Sequence, residues 1–314
     1  MSFELQILLQ RLLMPFLLSS VGCYLLATTD QGEEEGYDDE PARGILFATL
    51  FGAVLCGVAM IAADLWSRGQ IAKPMEWSQW RAKYQWEWMV WMIPASMLAM
   101  AILRCWFSIP IHYVGMAFTA SISIAIGMLY VCLNEGIAWQ DQSDKLFPWV
   151  TLGLVAILWN TLSLNSIARS GGSRWNPLVT LAQLGCVGYL AFQAYASLGE
   201  WVLTGIGVAL GASLIAMIRG SSSRLHFGWQ LSTVVVPLGI MAVCCFAVSQ
   251  FFEPPKTPKW LVGCVLFLPT VVGVIDLTIR QICKTWMRVV IAAVVCTSLL
   301  AILVYYVPPM SSEW

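Results

Sequence analysis

Residues 44–91 read GILFATLFGAVLCGVAMIAADL followed by WSRGQIAKPMEWSQWRAKYQWEWMVW. The first part is apolar for 22 residues, with a single charge, Asp64, near its end. A helix rises about 1.5 Å per residue, so a run of this length crosses the ~30 Å hydrocarbon layer of a bilayer. Its Gly52, Ala53, Gly57 and Ala59 let a second helix approach closely. Asp64 stands four residues before Arg68, the spacing of a helical ion pair. The second part changes character. It holds six of the 16 tryptophans together with Arg68, Lys73, Arg81 and Lys83. Wound as a helix, it puts Trp77, Trp80, Tyr84, Trp88 and Trp91 on one stripe, with Ser78, Gln79, Arg81, Lys83 and Gln85 elsewhere on the wheel. Lys73-Pro74 supplies a start, since proline suits the first helical turn. Indole rings and basic side chains together suit the headgroup layer. The sequence therefore predicts an interfacial amphipathic helix near 76–88 within a basic segment, 66–87, that feeds the next span. Trp77, Trp80, Arg81, Lys83, Tyr84 and Trp88 are its membrane-interface residues. A lipid-headgroup or partner docking helix is the sharper reading of the same surface.

The rest of the chain is of the same kind. Of its 314 residues 59% are hydrophobic and only 11% charged, against about 25% charged in soluble domains. The mean hydropathy is +0.73. A soluble core cannot absorb that much apolar surface, so lipid must solvate part of it. The net charge of −1 gives no electrostatic footprint for nucleic acid. Eight of the ten cysteines (Cys23, Cys56, Cys132, Cys186, Cys244, Cys245, Cys264 and Cys296) lie inside apolar runs, where a thiol behaves as a small hydrophobe. With no C-x-x-C and only two histidines, neither a metal nor a cofactor site is expected.

Apolar runs predict an all-α polytopic bundle of about ten spans, near 12–28, 44–65, 88–106, 111–133, 148–168, 177–197, 201–218, 228–251, 260–279 and 289–307. The first is a permanent helix, because no basic leader or A-x-A site marks a signal peptide. Ser20-Val21-Gly22-Cys23 resembles a bacterial lipoprotein cleavage site, but Ser20 replaces the large aliphatic residue of that pattern. Residues 29–43 form an acidic loop with Asp30, Glu33, Glu34, Glu35, Asp38, Asp39 and Glu40, without calcium-loop spacing. Leu198-Gly199-Glu200 reads as a tight hairpin link. Gly207-x-x-x-Gly211 is a weak helix-packing motif. Pro94, Pro237 and Pro269 are candidates to break helices. Trp139, Trp149, Trp175, Trp201, Trp229, Trp260 and Trp286 fall near predicted helix ends, as an aromatic belt requires. Trp159 is the mid-span exception.

Polar residues at membrane depth are the functional candidates. Asp276, Arg280, Asn160 and Gln183 are the residues that would line a transport path. The plainer alternatives are an i,i+4 interfacial pair for Asp276 and Arg280 and interhelical hydrogen bonds for the amides. No catalytic residue is assigned. H-E-x-x-H, Walker and G-x-G-x-x-G patterns are absent. Ala63-Asp64 and Ile275-Asp276 lack the G-x-G-D of intramembrane aspartyl proteases. Gly211-Ala212-Ser213-Leu214 resembles the start of the rhomboid protease G-x-S-G motif, but Leu214 replaces the second glycine and no later span holds a histidine. Ten spans in about 300 residues resembles the drug/metabolite transporters in size alone.

The leading expectation is a non-catalytic, membrane-embedded interaction or assembly component of the plasma or inner cell membrane. It meets the lipid bilayer throughout and a protein partner through the acidic loop or the Trp-rich helix, with no nucleic acid. The alternative is a small-solute permease. Orientation is not decided by the basic residues, which number seven on the side of residues 66–86 and nine on the other. The Trp-rich segment and the three late basic loops agree only if an even number of crossings separates Lys83 from Arg169. Ten spans give three crossings there. Nine spans arise if the region 94–110, interrupted by two prolines and Arg104, is re-entrant. Reporter fusions after residues 140 and 170 test the choice: ten spans put them on opposite sides of the membrane, and a common side excludes a full fifth span.

Overall fold

The computed structural model describes residues 6–29, positions 58 and 62, scattered positions between 151 and 167, and residues 175–194, 196–219 and 258–307. These residues are 92% helical, and none is in a strand. The Trp-rich segment with Trp77, Trp80, Arg81, Lys83, Tyr84 and Trp88 lies outside them. So do Asn165, the body of the acidic loop, and the expected spans 88–106, 111–133 and 228–251.

A π-helical stretch, Leu8–Leu13, leads into α1, Met14–Thr29. α2 covers Asn176–Ala194 and α3 Ala196–Arg219. α4, Lys259–Leu266, and α5, Leu268–Ile279, follow each other around a bend of 61°. α6 is Thr285–Tyr306. Among the described residues α6 alone is long and apolar enough to cross a membrane, joined by a second span if α4 and α5 count as one. Four expected spans fall on α1, α2, α3 and α6.

Two expectations are corrected. Leu198-Gly199-Glu200 is not the link between helices, because α3 already runs from Ala196. Gly199 instead makes room in the first turn of α3: a Cβ there would collide with the Phe192 ring. The span expected at 260–279 is two helices that meet at Phe267. Pro269 explains the break. It has no N–H for the Val265 carbonyl, and its ring crowds that carbonyl in a continuous helix. Its fixed φ suits the first turn of a new helix instead.

α2 is the centre of the packing. On one side it forms an antiparallel hairpin with α3, where Gly188 lets Val202 and Ile206 approach. On the other side Val179, Leu184, Val187 and Leu190 share a buried core with Leu261, Val265, Leu268 and Val272 of α4–α5 and Leu299 and Leu303 of α6. Tyr189 donates its hydroxyl to the Val307 carbonyl, which caps the end of α6. α1 lies along the outside of α3, where the Gly207-x-x-x-Gly211 face meets it. A Cβ on Gly207 would stand 2.5 Å from the Leu12 carbonyl oxygen, and one on Gly211 2.5 Å from that of Phe16. The paired numbers rise together, so α1 and α3 run parallel. Arg11, buried beside this crossing, stands 3.8 Å from Glu200. Burial pushes the Glu200 carboxyl up, and Arg11 partly opposes that.

The outer face of α6 is apolar and uncovered: Val290 is 50% and Val294 56% exposed. Trp286 and Tyr306, both exposed, stand near the two ends of α6, 20 residues apart. At the helical rise this is about 30 Å, the thickness of a bilayer's hydrocarbon. Trp260, at the start of α4, stacks edge-on against Tyr306 with ring centroids 5.5 Å apart. The bent pair α4–α5 therefore begins at the level where α6 ends.

The glycine crossing predicts an asymmetric response. Gly211→Leu overpacks the α1–α3 contact and costs about 1–3 kcal/mol, read as a lower midpoint of unfolding in an SDS titration. Gly185→Ala, whose new Cβ meets nothing within 4 Å, leaves the midpoint unchanged.

Candidate functional site

The bend between α4 and α5 leaves backbone groups without helical partners. In a continuous helix Val265 and Leu266 would offer their carbonyls to residues 269 and 270. Residue 269 is proline, and the bend carries Thr270 away. The vacated positions are filled by two side chains from other helices. The Gln183 amide nitrogen, from α2, donates to Val265 O at 3.2 Å and to Leu266 O at 2.9 Å. The Asn160 amide nitrogen donates to Leu266 O at 2.7 Å. Its oxygen accepts the Thr270 N–H at 3.3 Å and the Thr270 hydroxyl at 2.8 Å. Asn160 thus spans the gap in the hydrogen-bond ladder, acceptor to the second helix and donor to the first. Both amides are 3% exposed. Gly273 admits the helical residues around Ser163, whose Cβ lies 2.6 Å from where a Cβ on Gly273 would be. That close approach holds Asn160 at the break.

Asp276 lies further along α5, about 14 Å from Phe267 at the helical rise. Its carboxylate is held by Arg288 of α6, with Nε to Oδ1 at 2.6 Å and Nη2 to Oδ2 at 2.8 Å. Both residues are buried. The two-pronged geometry is the strong form of the carboxylate–guanidinium pair. Each charge alone is at the unfavourable end of its helix: Asp276 in the last turn of α5, Arg288 in the first turn of α6. Paired, they offset both dipoles and the cost of burial.

This corrects the expected partner. Arg280 is at the C-cap of α5 and exposed. Only its backbone N–H returns to Asp276, donating to the carbonyl at 2.9 Å. A long cationic side chain at a helix end extends towards water, whereas Arg288 is turned into the bundle by α6. Arg288 also leaves the set of loop cations from which orientation was weighed, reducing nine to eight on that side, 9 − 1 = 8. Trp175 differs as well. Expected in the aromatic belt, it is 5% exposed. It lines a small, largely apolar pocket of ≈ 10 Å³ together with Asp276, Arg288, Ile275, Ile279, Ile291 and Val295.

The four path candidates thus fall on two levels of one helix pair. Asn160 and Gln183 meet at the break, Asp276 stands beyond it, and Arg280 is outside. Sequence reading missed Arg288 and Thr270. The available signals were an arginine followed directly by the apolar run of α6, and a threonine directly after Pro269. Ser213, in the rhomboid-like tetrapeptide, is buried and donates to Ala209 O at 2.5 Å within its own helix. Among the described residues no three His, Cys, Asp or Glu side chains are grouped to hold a metal ion. Comparison with family models, curated proteins and solved structures returns no match.

Two substitutions separate the levels. Asn160→Leu strands the Leu266 carbonyl less than the Thr270 N–H, because Gln183 still serves the former. A loss of about 1–3 kcal/mol is expected in SDS unfolding. Asp276→Asn removes the carboxylate charge that faces the buried Arg288 guanidinium and costs about 3–5 kcal/mol, whereas Asp276→Leu with Arg288→Met together are near neutral. Equal losses in the single and the double variant would contradict this account.

Proposed function

We propose that the chain is a multi-pass protein of the plasma or inner membrane, with ten spans, that acts without catalysis as an embedded interaction or assembly component. The observation that carries this reading is that the polar groups at the helix break are engaged by other parts of the same chain. Gln183 and Asn160 take the freed carbonyls, and the cavity beside Asp276 has a volume of ≈ 10 Å³. Irregular backbone in a bilayer requires burial in protein or a water-filled path, and the α4–α5 break has the first. The parallel run of α1 and α3 supports an odd number of spans between them, as ten spans give and nine do not. The exposed apolar face of α6 supports embedding in lipid.

A small-solute permease is the second reading. It draws on the discontinuous helix itself, since transporters place solute sites where half-helices meet. Asn160 and Gln183 stand at that point, and Asp276 on the same helix.

Two measurements divide the readings. In a mild detergent extract the assembly component sediments well above its monomer mass, and replacing Trp77, Trp80, Tyr84 and Trp88 by leucine returns it to monomer. A monomeric wild type would sink the proposal. In a background with the native cysteines replaced, Thr270→Cys stays unreactive towards a membrane-impermeant, charged thiosulfonate. Labelling from either side would mark a water path and favour the permease.

A further inference from the structure

We infer that the turn between α5 and α6 docks on the anionic phospholipid headgroups of one leaflet, with Arg280 and Lys284 meeting lipid phosphate and Ile282 and Trp286 entering the layer beneath. The inference rests on the proposed embedding of the chain in a membrane, and names the lipid class that one end of it selects.

Exposure is the first observation. Ile282 is 85% exposed, more than any other large hydrophobic side chain among the described residues, and Trp286 is 64% exposed. Backbone bonds define the turn that presents them. The Ile282 and Cys283 N–H groups donate to the Ile279 carbonyl at 3.0 and 2.8 Å, and the Met287 N–H donates to that of Lys284 at 3.0 Å. A turn that fixes an isoleucine outward keeps apolar area in water unless lipid or protein covers it.

Charge is the second observation. Residues 277–287, LTIRQICKTWM, hold two cations and no acid. Arg280 and Lys284 are exposed, and among the described residues neither side chain has an acidic partner. Arg288, the next cation along the chain, is buried against Asp276 and takes no part. The turn therefore carries two uncompensated positive charges beside two exposed apolar groups. A zwitterionic headgroup would bring its own cation against that surface, whereas an anionic one brings net negative charge. A guanidinium fits phosphate with two parallel bonds, and an ammonium meets it as a point charge.

The third observation is the level of the turn. Trp286 and Tyr306 are separated along α6 by about the thickness of a bilayer's hydrocarbon. With Trp286 at that boundary, the headgroup layer extends roughly 5–8 Å beyond it. Lys284 precedes Trp286 by two residues, and Arg280 closes α5 on the other side of the turn. Both cations thus fall in the layer where lipid phosphate stands, and Ile282 lies between them in the chain. A protein partner would have to be acidic and to reach into the same layer, which lipid already fills.

The test uses the full chain in nanodiscs, in a background with the native cysteines replaced. Gln281→Cys, an exposed position outside the four docking residues, carries a fluorophore. Phosphatidylglycerol and phosphatidylcholine are compared at equal mole fraction, each with a nitroxide quencher near the head of one acyl chain. The expected result at low salt is stronger quenching by phosphatidylglycerol, with an enrichment beside the label of about fivefold for each cation. Arg280→Gln with Lys284→Gln equalises the two lipids and leaves the SDS unfolding midpoint unchanged. Inorganic phosphate in millimolar excess, at constant ionic strength, does not disturb the preference. Equal quenching in the parent chain overturns the anionic selection alone and leaves the embedding standing. Absence of quenching by either lipid overturns the embedding of this end as well, and gives the surface to water or a protein partner. A preference that survives the double variant, or that inorganic phosphate abolishes, also sinks the proposal.

Discussion

A backbone carbonyl in an apolar surrounding must find a donor within the protein, and the α4–α5 break depends on that constraint being met. Pro269 removes one helical donor and bends another away. What keeps the 61° bend from being a defect is the pair of carboxamides that reach it from two other helices. Each amide carries both a donor and an acceptor end, which is why asparagine can replace a missing rung of the ladder on both sides. A serine or threonine in place of Asn160 has the chemistry without the reach, and an aspartate lacks the donor for Leu266. The identity of residue 160 is therefore set by geometry, whatever passes or does not pass nearby.

The ion pair follows a second rule. Asp276 and Arg288 face each other across a short turn, and neither helix end would accept its charge alone. Because both partners come from one hairpin, the pair forms as soon as α5 and α6 lie side by side. The amides at the break are the opposite case, since Asn160 is 106 residues from its carbonyl partner and Gln183 82 or 83. The hairpin is locally defined, and the bend is defined by the whole arrangement around α2.

How far the chain could be read in advance depends on which of these rules applied. Apolar length alone located α1, α2, α3 and α6, because a helix that is apolar on every side needs no periodic pattern to be found. The small-residue spacing at Gly207 and Gly211 indicated a close crossing and could not name α1 as its partner. Pro269 marked a break, yet the turn of the chain at Phe267 depends on Asn160 and Gln183, which are distant in sequence. Asp276 was assigned to Arg280 because four residues is the spacing of a helical pair. That rule holds for a helix that continues, and α5 ends at this point. Trp175 was placed at the lipid surface by its position near a helix end. Position along a helix does not fix its face, and the ion pair lies on the inner one.

The α1–α3 crossing has a consequence for how the molecule is made. Its glycine face is complementary to backbone atoms of Leu12 and Phe16, which lie 195 residues before Gly207 and Gly211 in the chain, 207 − 12 and 211 − 16. At about 5–20 residues per second of synthesis, the first helix waits roughly 10–40 s for its partner to exist. During that interval the polar side chains it later buries there, Gln10, Arg11 and Ser19, are without the helix that shields them. Whatever surrounds the nascent protein must shelter them in the meantime. Assembly of this end is thus ordered by synthesis, with the earliest segment held back until α3 exists.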